Sequence, residues 1–263
     1  MFKNVHIITL MVAILMSIAS IGGIFLDIYN DNRLVSSGWV GNDIVSLLCG
    51  VPLLLWSLSL MKKTSVRGTL AWLGMMYYVV YNYAFYLFGA SFNSMFLVYV
   101  TLFTLSGAVL LMAIPQIRAE HISSCFTHGS HLKLISLMMF VVSVLLGLFH
   151  IIISADYIFS KKVPDIVITV GHVTNVIAAL DLSMVVPVGL ISSYLLWKRH
   201  PWGFVLSCLW NLKGAVYTLA LSFASIFGYV YSEGDLFQLA LWVPICISST
   251  IAFVVLLTKM KPL

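Results

Sequence analysis

Eight apolar stretches, each interrupted only by small or isolated polar residues, divide the chain at roughly 5–26, 43–61, 68–88, 94–114, 133–154, 177–197, 202–226 and 237–258. Runs of about 18 or more apolar residues are long enough to cross the hydrocarbon core of a bilayer as a helix. The segments between them are short. The pattern therefore predicts an all-α polytopic transmembrane bundle of about eight helices, one integral membrane domain over 1–263. Composition agrees: hydrophobic residues make up 61% of the chain, charged residues 9%, and the mean hydropathy is +1.05. A soluble domain carries about a quarter charged residues, so this chain cannot cover itself with a water-facing surface.

The charges sort by side. With a cytoplasmic N-terminus, the inner segments carry Lys3, Lys62, Lys63, Arg67, Arg118, Lys133, Lys198, Arg199, Lys259 and Lys261. The outer segments carry only Arg33, Lys161 and Lys162, and the acids other than Glu120 fall at outer loops or outer helix ends. This is the positive-inside pattern. It predicts cytoplasmic termini and a place in the cytoplasmic membrane. The pI near 9.0 is then a product of topology, and nucleic acid is excluded as a partner. The first helix begins like a secretory leader, but its apolar run continues to Leu26. It is read as an uncleaved anchor; cleavage would leave seven helices and an external N-terminus.

The chain also echoes itself. "DIVSLLCGVPLLLWSLSLMKKTSVRGTL" and "DLSMVVPVGLISSYLLWKRHPWGFVL" each run from an outer Asp through an inner Pro and a basic turn to a Gly opening the next helix. Pro52 precedes Gly68 by the same interval as Pro187 precedes Gly203, although the Asp-to-Pro spacing differs. This suggests a parallel repeat of halves 1–120 and 121–263. Such repeats place transporter sites near mid-membrane. The positive-inside rule, with Pro and Gly common in membrane helices, produces much the same pattern without duplication.

Lys213 raises the chemical question, because it stands alone in the apolar run "WNLKGAVYTLALSF". Counted from Trp202 it lies about 16 Å above the inner boundary, and Asp181, counted from Trp197, about 24 Å. A mid-bilayer lysine costs about 3 kcal/mol or more, so a carboxylate partner is expected. Asp181 is the first choice and Asp43, its counterpart in the repeat, the second. The third helix, "MMYYVVYNYAFYLFGASFN", supplies further polar groups. Tyr78, Asn82 and Tyr86 recur on one face with Tyr81 beside them. Asn82 must point inward, because lipid leaves its amide unpaired. Tyr83 and Tyr86 are read as interfacial belt residues, and Tyr77, Tyr78 and Tyr81 as deeper. The expected substrate-binding or buried polar cluster is Asp43, Tyr78, Tyr81, Asn82, Asp181 and Lys213.

Other chemistry is weaker. His150, Asp156, His172 and Asp181 lie toward the outer side without a tight metal-ligand spacing, so no metal or other cofactor is expected. A lone histidine near a helix end reads as an interfacial residue, and His121, His128, His131 and His200 as solvated ones. Asn93 and Asn175 read as helix caps or water ligands. The four cysteines form no CxxC and no outer pair, which leaves them as packing residues.

The motifs "YNYAFYLFGASFN", "ALDLSMVVP", "LLWKRHPWG" and the following "LK" resemble those of a group of prokaryotic polytopic membrane proteins of unknown function. The resemblance covers about Asp43 to Lys213 and implies a membrane fold but no activity. The leading functional expectation is a small-solute or ion- or proton-coupled transporter, or solute-binding permease, using a Lys–Asp pair. Its partners are the lipid bilayer and a small-molecule solute or lipid. The alternatives are a membrane-embedded enzyme acting on a lipid or isoprenoid, a structural or accessory subunit, and a Schiff-base chromophore protein built on Lys213.

Overall fold

A computed structural model describes residues 2–63, 65–127 and 129–261; His128 and the side chain of Lys3 lie outside the described residues. The protein is an all-α polytopic bundle, 83% helical. Eight long helices follow one another: α1 (Phe2–Phe25), α2 (Arg33–Lys62), α3 (Val66–Gly89), α4 (Phe96–Gln116), α5 (Ser130–Ser160), α6 (Val176–Trp197), α7 (Pro201–Tyr231) and α8 (Leu239–Thr258). Seven of them are long and apolar enough to cross a membrane. The exception is α3, equally long, whose five tyrosines and Asn82 hold its apolarity down. Short helices at Ala119–Ser124 and Asp165–Val170 lie in connections.

Two boundaries differ from the sequence reading in ways that matter. Helix α2 begins ten residues early because Asn32 caps it, accepting a hydrogen bond from the Val35 amide at 3.0 Å. Capping residues of this kind open helices by satisfying free N–H groups. Asp43 is therefore not at a helix end but well inside α2. Helix α5 likewise runs to Ser160, which carries His150 into its interior. Asn93 and Asn175 do cap turns and helices, taking the amides of Met95 and Ala178.

Both α2 and α6 are interrupted by one wide π-turn, at Ser46–Gly50 and Asp181–Val185. Each lies just before a proline, Pro52 or Pro187, which lacks an N–H and crowds the carbonyl four residues back. The extra residue in a π-turn relieves that crowding. Gly68 and Gly203 also match: a Cβ on either would strike the preceding helix, at Leu60 and Met61 or at Leu195 and Leu196. Only glycine lets these turns close so tightly. The prolines, π-turns and glycines all share one offset, which puts Ser46 opposite Asp181. Asp43 lies about a turn earlier, so it is not the counterpart of Asp181 in this register.

Helices α3 and α7 form the centre. The most apolar stretch of α7 is 78% buried, against 22% for α8, and α7 packs on α2, α3, α6 and α8. Gly41 lets α2 approach it, since a Cβ there would lie 2.7 Å from the Phe223 backbone. Helices α4, α5 and α8 turn large apolar side chains outward, among them Leu97, Leu145 and Ile251.

The connections gather at two ends. One holds Asp27, Asp31, Asp156, Asp165, Glu233 and Asp235, with Asp31 accepting from the Ser91 amide and hydroxyl and from Trp39. The other holds the basic turns. There Arg67 donates to the Met260 carbonyl at 2.9 Å, and Lys133 lies over the Trp197 ring. These are called the acidic end and the basic end below.

Candidate functional site

Helix α3 distributes the polar chemistry between two faces, as the helical repeat dictates. Tyr78, Asn82 and Tyr86, four residues apart, face α2; Tyr77 and Tyr81 face α6. Eighteen of its 24 residues are buried, so these groups meet protein rather than lipid.

Toward α2, the Asp43 carboxylate accepts from Tyr86 Oη at 3.0 Å and from Tyr29 Oη. Burial and the neighbouring carboxylate push the Tyr29 phenol well above its ordinary pKa, so it stays a proton donor. Asp43 is 1% exposed and, among the described residues, has no cationic side chain within ion-pair distance. Beside it runs a neutral chain. Asn42 Nδ2 donates to Asn82 Oδ1 at 3.0 Å, Asn82 Nδ2 reaches Ser46 Oγ at 3.5 Å, and Ser46 Oγ bonds Tyr78 Oη at 2.8 Å. Aromatic rings enclose the site, with Trp39 4.6 Å from Tyr86 and Tyr86 5.1 Å from Tyr99 between centroids.

Toward α6, the Asp181 carboxylate sits in the π-turn itself. Tyr81 Oη donates to Oδ1 at 2.5 Å, and His150 Nε2 lies 3.0 Å from Oδ2. The carbonyls of Met184 and Val185 in the same turn accept from Tyr77 Oη at 2.7 Å and Trp210 Nε1 at 3.1 Å. The irregular turn is thus fastened to α3 and α7 by side chains.

Lys213 forms no ion pair with either of the carboxylates expected as its partner. The lysine faces the interior, 3% exposed, but neither Asp181 nor Asp43 is within ion-pair distance. Its Nζ lies 3.4 Å from the centroid of the Tyr81 ring and 4.6 Å from that of Tyr217. A desolvated cation–π contact is worth about 2 kcal/mol or more, so two such contacts rival the cost of the buried ammonium. Tyr81 joins the charges: its ring faces the lysine while its hydroxyl donates to Asp181. Donation to a carboxylate enriches the ring in electrons, so Lys213 meets Asp181 through the tyrosine.

The six residues singled out in the sequence are all buried, and they divide between the two sites. Asp43, Tyr78 and Asn82 lie on the α2 side; Asp181, Tyr81 and Lys213 lie on the α6 side. Tyr83 and Tyr86 are not belt residues, being 1% exposed; packing of α1, α2 and α4 around α3 removes them from any interface. Sequence reasoning missed Tyr29, Trp39 and Tyr217, and read His150 as an interfacial residue. His150 looked interfacial because the predicted helix stopped four residues beyond it; α5 runs on to Ser160, and its packing buries the imidazole against Asp181. Comparison of the chain with protein-family models, with curated proteins and with solved structures gives no match.

Two cavities adjoin this machinery. At the acidic end, one of about 410 Å³ is lined by Gly23, Asp27, Tyr29, Arg33, Ser36 and Tyr231, among others. Gly23 places it against the Asp43 site, because a Cβ there would collide with the carboxylate and with Tyr29 Oη. At the basic end, one of about 390 Å³ is bordered by Val5, Thr69, Trp72, Arg118 and His121. Its wall is pinned where Trp72 Nε1 donates to Thr9 Oγ1 at 3.2 Å.

Proposed function

We propose that this multi-pass membrane protein is a small-solute transporter, coupled to protons or another ion, with its working groups between α2, α3, α6 and α7. The observation that carries this reading is the pair of buried carboxylates on proline-interrupted helices, flanking α3 with a cavity toward each end. Interrupted helices near mid-membrane are where transporters hold substrates and coupling ions, and intramembrane carboxylates are costly unless used. Asp181, His150, Tyr81 and Lys213 act as the latch. Protonation of Asp181 removes the charge that draws the Tyr81 hydroxyl and, through its ring, the lysine. The helices α3, α6 and α7 are then free to shift. The matching proline, π-turn and glycine registers support descent of the halves 1–120 and 121–263 from one duplicated unit. The positive-inside rule makes the basic end cytoplasmic, with the lipid bilayer of the cytoplasmic membrane as surroundings.

Purified protein in proteoliposomes, screened with labelled solutes under an imposed pH gradient, tests this. Uptake that follows the gradient and is lost in Asp181→Asn is the expected result. Absence of flux, with turnover of a lipid extract instead, would move the protein to the enzyme reading. That reading draws on the same acid–base group of His150, Asp181, Tyr81 and Lys213.

A further inference from the structure

We infer that Asp43 is a binding site for a small organic cation, an ammonium group admitted from the cavity at the acidic end. The inference rests on the transport reading for its purpose but on separate residues for its chemistry.

The first ground is charge. A carboxylate removed from water needs a proton or a cation. Asp181 has a lysine and a histidine around it, whereas Asp43 is surrounded by neutral groups, Tyr29 and Tyr86 above all. The second is loosely satisfied polarity. Ser20 Oγ, Tyr83 Oη and Tyr99 Oη are buried near Asp43 without a well-formed hydrogen bond, Ser20 reaching toward the carboxylate and Tyr83, and Tyr99 toward Tyr29 and Asn93. Buried polar atoms that are poorly paired are costly, and each of these oxygens can accept a hydrogen bond from an N–H donor.

The third ground is aromatic. Tyr29, Trp39, Tyr83, Tyr86 and Tyr99 form a continuous set of rings, neighbours standing 4.6 to 6.5 Å apart between centroids. Ring faces attract a weakly hydrated organic cation, as aromatic cages for ammonium groups do. Lys213 over Tyr81 and Tyr217 shows the same chemistry used within this bundle. The fourth is access. Gly23, the only residue type that fits against Asp43 there, also lines the cavity, as does Tyr29. Rotation of the Tyr29 side chain would open the carboxylate to that space. Asp27 and Arg33 both stand on the cavity wall and offset each other in charge, which leaves the Asp43 carboxylate as the attraction for the cation.

The test uses the full chain in detergent, with tetramethylammonium, methylammonium and choline chlorides as probes and sodium chloride at matched ionic strength as the control. Two measurements are made. One is thermal stability against probe concentration. The other is protection of Asp43 from dicyclohexylcarbodiimide, read by peptide mass spectrometry on the unmutated protein. The expected result is saturable stabilisation by at least one ammonium probe and protection of Asp43 by the same probe. Removing the charge weakens such a contact by about tenfold or more, so Asp43→Asn should lose the probe. Tyr29→Phe, which keeps the ring, should weaken it less than Tyr29→Leu. Asp156→Asn, at the exposed acidic end, should leave it unchanged. Stabilisation by sodium equal to that by every ammonium probe overturns the inference, as does carbodiimide labelling of Asp43 that no probe reduces. Flux separates this claim from the transport reading. Binding and protection without any flux leave the site standing and remove the transporter. Proton-linked flux of an uncharged or anionic solute, with no ammonium binding, does the reverse.

Discussion

The Asp43 and Asp181 sites begin alike and end differently. Each carboxylate is buried on a helix interrupted before a proline, and each takes a hydroxyl from α3, Tyr86 for one and Tyr81 for the other. Around Asp181 the bundle adds His150 and, behind a tyrosine ring, Lys213; around Asp43 it adds only phenols, a serine and amides. In the register of the two π-turns, the Ser46–Tyr78 hydroxyl pair occupies the places of Asp181 and Lys213. The same helical frame thus carries a neutral pair on one side and a charged pair on the other. A carboxylate with basic neighbours has compensating charge at hand; one among phenols needs a proton or a cation from elsewhere.

The largest expected effect breaks the charged side. Lys213→Ala leaves Asp181 with Tyr81 and His150 but without the ammonium behind the ring, and Asp181→Ala leaves a buried ammonium with only rings. Losing one partner of a buried pair costs about 3–5 kcal/mol, which thermal unfolding in detergent will read. The double replacement should cost less than the sum, because residues joined in one network, here through Tyr81, are not additive. Two singles that melt like the unaltered protein would mean that the lysine and the carboxylate are uncoupled.

Asp43→Asn should cost less, about 1–3 kcal/mol, since it exchanges one hydrogen-bonding geometry for another without stranding a charge. A larger loss than for Asp181→Asn would reverse the comparison. Below these come the hydroxyls. Tyr81→Phe should lower stability more than Tyr86→Phe, by about 1 kcal/mol. It removes a bond to Asp181 and weakens the ring beneath Lys213, whereas Asp43 keeps Tyr29. Equal melting temperatures for the two variants would show that the ring does not transmit charge.

The smallest effect lies outside both sites. His172, in the connection at the acidic end, has its imidazole pKa lowered by burial, with Asp31 opposing. Folding therefore favours the neutral ring, and the unfolded chain binds more protons below the usual histidine pKa of about 6.5. Stability from this group is full above that range and declines as pH falls through it. His172→Gln should flatten this part of the melting profile, and a profile of unchanged slope would assign the acid sensitivity elsewhere.

Much of this was legible in the residues. All eight helices follow from apolar runs, and the inward placement of Asn82 and Lys213 follows from the cost of polar groups in lipid. What escaped was set by local or tertiary features. The stretch "RLVSSGWVGND" reads as a loop because Ser and Gly dilute it, yet Asn32 caps it into helix and carries Asp43 inward. His150 alone has no spacing to advertise it; only the packing of α5 on α6 brings it to Asp181. Depth counting brought Lys213 near Asp181 but carried no information about the ring between them.

The weak apolarity of α3 has a consequence for biogenesis. A nascent α3 entering a bilayer by itself would offer lipid the amide of Asn82 and five phenols, which insertion penalises. Its closed turn with α2, made possible by Gly68 against Leu60, lets the two enter as a hairpin. Asn82 then meets Asn42 and Ser46 at once. The other face has no such early companion. Tyr77 and Tyr81 bond residues of α6, and Tyr81 packs on Tyr217 of α7. Those helices emerge from the ribosome about a hundred residues later at 5–20 residues per second. For several seconds of synthesis, half of the central helix is without its partners, and the bundle closes on it last.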